Sequence, residues 1–76
     1  MITVKLFGLL RIESGIRQTA LDASTVKEVL EALAARGISR KELEGCVVFV
    51  NGSSAGKRTK LKPGDTVVLM SPVAGG

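Results

Sequence analysis

Histidine, tryptophan and tyrosine are absent from this chain of 76 residues, and cysteine occurs once, at Cys46. Without histidine, the commonest general base at neutral pH and the commonest metal ligand are both missing. A single cysteine cannot close an internal disulfide, nor build a zinc site with no histidine to join it. Long apolar runs are missing too. The longest, Cys46 to Val50, falls far short of the roughly 18 residues of a membrane span. The only aromatics are Phe7 and Phe49, too few for the stacking platforms that nucleic-acid readers use. Acidic residues are outnumbered by 7 to 11, for a net charge of +4, an excess that can steer a small domain towards acidic partners. The densest basic cluster, Lys57, Arg58, Lys60 and Lys62, sits among turn residues and reads as a solvated loop. Neither a nucleic acid nor a membrane is expected as a partner.

Length bounds the rest. A chain of this size makes one small domain and hides only about 60% of the surface its unfolded form exposes. An enclosed active site would consume much of that core, so an enzyme acting alone is not expected. The opening Met1-Ile-Thr-Val-Lys-Leu-Phe7 reads as a strand, not as a secretory signal. With a lone cysteine besides, the expected location is cytoplasmic.

Ile2, Val4 and Leu6 alternate with Thr3 and Lys5, the period-two pattern of a strand with one buried face. Glu13-Ser14-Gly15 reads as a turn, and Ile16 to Leu21 as the returning strand of a hairpin. Thr25 with Glu28 has the spacing of a capping box. Behind it Val26, Val29, Leu30 and Leu33 form one apolar helical stripe. Lys27 and Glu31 are spaced to pair along that helix. Arg36 suits its negative end and Gly37 its left-handed stop. Ser39 and Glu42 repeat the capping-box spacing, giving a single further helical turn that Gly45 closes. Cys46 to Val50 predicts a strand buried on both sides or nearly so. Cys46 itself reads as a small buried hydrophobe. Ser53 to Lys62 reads as a polar loop, Pro63-Gly64-Asp65 as a turn, and Thr66 to Met70 as the final strand.

Strand, strand, helix, turn, strand, loop, strand is the order of an α+β chain, with a mixed sheet and one main helix on one face. Its first and last strands are natural central neighbours. That arrangement is a β-grasp, ubiquitin-like roll. It occupies residues 1–70, with an extended, flexible tail over residues 71–76. Gly52-Ser-Ser-Ala-Gly56-Lys57-Arg58-Thr59 has some look of a phosphate loop, but three residues separate its glycines and Arg58 stands where a hydroxyl is needed. Nucleotide binding by this stretch is rejected.

The end of the chain is more informative. After Met70 the side chains shrink through Ser71-Pro72-Val73-Ala74 and vanish at Gly75-Gly76. Six extended residues reach about 20 Å, enough to enter a neighbouring protein's active site while the domain stays outside. Glycine lacks a Cβ, so a narrow tunnel admits it and a nucleophile can approach its carbonyl. A terminal carboxylate is a poor electrophile. It needs activation, most simply as an acyl-adenylate. A sulfur donor then leaves a thiocarboxylate, or a lysine amine an isopeptide bond. The chain lacks the groups for either step, so partner enzymes must supply them.

Over essentially its whole length the chain resembles the MoaD/ThiS sulfur carriers, most of all the small subunits of molybdopterin synthase. The resemblance rests on Lys5-Leu6-Phe7, on Thr25-Val26 with Leu30 and Leu33, and on Val50-Asn51-Gly52. Leu61-Lys-Pro-Gly64-Asp65 and the terminal Pro72-Val-Ala-Gly-Gly76 complete it. It implies that Gly76 is adenylated by a MoeB/ThiF-type enzyme, using ATP, and converted to a thiocarboxylate. That group would donate sulfur inside the large subunit of molybdopterin synthase, in molybdenum or tungsten cofactor biosynthesis. Pro72, Val73, Ala74 and Gly75 would thread the channel, while Phe7 and Met70 would belong to an exposed apolar patch against both partners. The carrier itself would hold no cofactor and no metal. Ser71 and Met70 stand where molybdopterin-type members commonly have a proline and an aromatic, and the charge of +4 is unusual for such a carrier. These departures leave open a thiamine-pathway or other sulfur carrier, a ubiquitin-like modifier of lysines, or a plain β-grasp interaction module.

Overall fold

Period-two patterning places the middle of the sheet. In the computed structural model, which describes residues 1–71, strand β1 (Ile2–Phe7) buries Ile2, Val4 and Leu6. Strand β5 (Thr66–Met70) buries Val67 and Leu69. The two run parallel in register, Val4 beside Val67 and Leu6 beside Leu69, so four apolar side chains point to one side of the sheet. Parallel neighbours need a crossover connection, and the intervening chain supplies it. Strand β2 (Gln18–Leu21) flanks β1 antiparallel, β3 (Val47–Val50) flanks β5, and β4 (Ser53–Ala55) closes the edge. The order is β2-β1-β5-β3-β4.

The main helix, α2 (Val26–Ala35), lays Val26, Val29, Leu30 and Leu33 on that inner face. Its entrance is closed by neighbours. Thr25 Oγ1 accepts from the Glu28 amide at 3.3 Å, while Glu28 Oε1 accepts from the Ser24 amide at 2.6 Å. The Val26 and Lys27 amides donate to the Thr59 and Lys57 carbonyls, both at 3.0 Å. At the exit Gly37 takes φ +100, with its amide on the Ala34 carbonyl and that of Ile38 on the Leu33 carbonyl. This is the left-handed stop with its buried Leu33–Ile38 contact. Described elements, order and sheet make an α+β β-grasp, ubiquitin-like roll.

Local expectations are corrected at six places. Glu13 to Gly15 is not a hairpin turn but the end of a short helix, α1 (Leu9–Ser14), stopped by Gly15 at φ +73. Only Leu10 of α1 is buried, so no stripe marks it in sequence. The returning strand accordingly begins at Gln18, not Ile16. Ser39 gives no side-chain cap to α3 (Arg40–Gly45); its carbonyl accepts from the Leu43 amide at 3.0 Å instead. Strand β3 is covered on one face only. Val48 is buried and Val47 exposed, since the helices lie on a single side of the sheet. The polar stretch from Ser53 opens as strand β4, paired to β3 through Asn51 and Gly52, whose φ of +50 and +85 suit a tight hairpin. Finally, Lys27 and Glu31 form no ion pair. Among the described residues the one within 4.0 Å joins the Met1 amino group to Asp22. Both side chains of the expected pair are exposed, where holding them together gains little.

Candidate functional site

Alternation that buries one set of side chains turns the other set outward. On the outer face of the sheet β1 presents Thr3, Lys5 and Phe7, β5 Thr66, Val68 and Met70, and β3 Val47 and Phe49. Register places them in rows. Phe7, Met70 and Val47 lie side by side across three strands, and the row below holds Lys5, Val68 and Phe49. Phe7, Met70 and Val47 are 40%, 42% and 43% exposed. Phe7 and Met70 therefore lie outside the core. Leu9, at 41%, stands just beyond Phe7 at the start of α1.

The tail leaves from this row. Ser71 follows Met70 directly, and its amide lies 3.5 Å from the Phe7 carbonyl, extending the β1–β5 ladder by one weak rung. Its Oγ accepts from the Leu9 amide at 2.6 Å. Gly8, between Phe7 and Leu9, has φ +70 and ψ −143, a conformation essentially restricted to glycine. A Cβ there would also collide with Ser71 Oγ. Gly8 and Ser71 therefore form a joint that fixes where the chain departs. Pro72, Val73, Ala74, Gly75 and Gly76 lie outside the described residues.

Other candidates do not gather into a site. Cys46 is half-buried, its Sγ donating to the Leu43 carbonyl at 2.9 Å. Burial pushes its thiol up, so it stays protonated at neutral pH and is a poor nucleophile. The stretch with some look of a phosphate loop folds onto α2: the carbonyls of Lys57 and Thr59 occupy the helix amides that a phosphate would need. No group of three or more His, Cys, Asp and Glu side chains able to hold a metal occurs among the described residues. Among them, too, no helix is long and apolar enough to cross a membrane.

Sequence reasoning named Phe7 and Met70 but missed Val47, Phe49, Val68 and the Gly8–Ser71 joint. The outward residues were available as the opposite phase of the alternation. Gly8 gave no signal, because its constraint arises from a contact with Ser71, on a strand end far away in sequence.

Comparison with known proteins adds to this geometry. A sequence model described as the ThiS family matches residues 4–76. No curated protein matches by sequence. Among solved structures, the chain is similar to SAMP1 of Haloferax volcanii, with 27% identity over 99% of this chain and 98% of that one and a TM-score of 0.82. It is similar to a chain in the complex of subunits 1 and 2 of the molybdopterin-converting factor of Helicobacter pylori, with 26% identity over 99% and 97% and a TM-score of 0.74. It also resembles a chain of the BexX/CysO complex of Amycolatopsis orientalis, at 26% identity over 100% of both chains and a TM-score of 0.72.

Proposed function

The chain belongs to the ThiS family of small sulfur-carrier, ubiquitin-like proteins, and from that premise we propose that Gly76 carries sulfur as a terminal thiocarboxylate for molybdopterin synthesis. The Gly76 carboxylate attacks the α-phosphorus of ATP in an adenylating enzyme of the MoeB/ThiF type. Pyrophosphate leaves and an acyl-adenylate forms. Sulfide-level sulfur then attacks the acyl carbon and displaces AMP, leaving the thiocarboxylate. In the large synthase subunit the thiocarboxylate sulfur attacks a carbon of a pterin precursor and displaces an oxygen leaving group, and water then hydrolyses the thioester, regenerating the carboxylate and leaving the sulfur on the pterin. The carrier's own residues bind and position. Phe7, Met70 and Val47 dock the domain, the Gly8–Ser71 joint aims the tail, and Pro72 to Gly75 thread it. Both enzymes work in the cytoplasm in this reading.

One observation carries it: the family match runs through Gly75-Gly76. The Helicobacter pylori complex supports the molybdopterin assignment, as a likeness to a chain seated with a partner subunit. A second reading, conjugation to lysines, draws support from SAMP1, since the same protein is also described as a small archaeal modifier protein. Removing Gly76 alone tests the shared premise. The truncated chain should melt as the intact one does, yet support no ATP–pyrophosphate exchange by its adenylating enzyme. Exchange at the intact rate would refute the assignment of the reactive group.

A further inference from the structure

A cleft of about 150 Å³ opens beside Phe7, lined by Lys5, Leu6, Phe7, Arg11, Arg17 and Gln18. Its three charged residues are all cations. No carboxylate of the described residues comes within 4.0 Å of them, since the ion pair at that limit is Met1 with Asp22. Two other clefts differ. Between α2 and α3, Lys27, Arg40 and Lys57 are interspersed with Glu31 and Glu44. Between α1 and α3, Arg36 faces Glu13 and Glu42. Of these three clefts, the one beside Phe7 gathers like charges without an acid among them, an arrangement that repels itself in the isolated domain.

The position of this cleft gives the repulsion a use. Lys5 is the single charged residue of the outer rows on β1, β5 and β3, and it is the register neighbour of Val68. The cations thus edge the exposed apolar face, next to the strand end from which the tail departs. Such a face is complementary to a folded partner with an apolar centre and carboxylates along one side. Single-stranded nucleic acid fits it less well. The two phenylalanines lie on strands β1 and β3 with β5 between them, and aliphatic Val68 and Met70 fill the gap, so bases find no continuous stacking platform.

We propose that Lys5, Arg11 and Arg17 form an electrostatic guide that seats this domain on an acidic-edged apolar surface of its partner enzyme. The inference rests on the carrier reading in taking the adenylating enzyme as that partner. Its test is the association rate of the full chain with the adenylating enzyme of the same organism. Rates are compared between about 0.05 and 0.5 M salt, where the screening length falls below the width of the face. Reversing the three cations (Lys5→Glu, Arg11→Glu, Arg17→Glu) should slow association at low salt by about 10-fold or more, and added salt should then speed association instead of slowing it. The same change in net charge elsewhere (Lys57→Glu, Arg58→Glu, Lys60→Glu) should slow it about twofold at most. A neutral triple variant to glutamine, with an amide spectrum like that of the unaltered chain, should fall between and guards against misfolding.

Equal losses at both places would overturn the guide, as would no loss at Lys5, Arg11 and Arg17. Binding of oligo(dT) that needs these three cations, with enzyme association unchanged, would overturn it in favour of a nucleic-acid ligand. An unaltered chain that does not bind the enzyme at all would overturn the carrier reading itself, and the guide with it.

Discussion

Gly8 and Ser71 show how much one backbone position can control. With φ +70 and ψ −143 at Gly8, a residue bearing a Cβ would carry about 1–3 kcal/mol of strain and would also push Ser71 off the Leu9 amide. Gly8→Ala should therefore lower unfolding stability by that amount in urea titration. It should slow the proposed partner reaction further, because Ser71 loses its hold on the Leu9 amide. Asp65 is a second such residue. The Lys62 amide and the Asn51 side-chain amide, at 2.8 and 2.9 Å, hold its carboxylate below the usual aspartate value of 3.8. A depressed carboxylate stabilises the fold above that value and ceases to do so as pH falls through the folded-state pKa. Asp65→Asn should lower the Tm at pH 7, and the difference from the parent should close in the window below pH 3.8. A gap of constant size across that range would show the charge to be irrelevant. The Pro63-Gly64-Asp65 turn was legible because proline and glycine act locally. The Gly8 constraint was not, since it depends on a side chain brought near only by the parallel pairing of β1 and β5.

At the scale of elements, what could be read depended on length and on where the polar groups go. Helix α2 is long enough to repeat its stripe, and its boundaries carry their own chemistry at Thr25 and Gly37. Thr25→Ala should cost about 1 kcal/mol in chemical denaturation. Leu33→Ala should cost about 2–5 kcal/mol, because Leu33 is fully buried between helix and sheet. Equal effects from the two would mean that α2 is not held by its apolar face. Helix α1 and strand β4 escaped sequence reasoning for opposite reasons. The first buries only Leu10, and the second is an edge strand of Ser-Ser-Ala held by backbone pairing to β3. Strand β3 looked doubly buried because Val47 and Phe49 are as apolar as Val48 and Val50. Their apolarity belongs to an uncovered face instead of to a second core.

For the whole molecule, helices on one side leave an exposed apolar face on the other, with Ser71 following Met70 at its edge. Phe7→Ser with Met70→Ser should leave stability within about 0.5 kcal/mol, as for ordinary surface changes, while weakening association with the adenylating enzyme about 10-fold or more. Loss of folding in that variant would place the two side chains in the core after all. The element order made the roll and its central pair legible, and the outer face was implicit in the alternation. The proposal for the end of the chain rests on side chains diminishing to Gly75-Gly76 and on a family match that runs through them. The most direct measurement is the intact mass of the chain after incubation with ATP, a sulfur donor and its adenylating enzyme, followed by fragmentation. A gain equal to the difference between sulfur and oxygen, confined to the fragment ending in Gly76, is the predicted result. An unchanged mass with an enzyme of proven activity, or a gain that maps to Cys46, would contradict it.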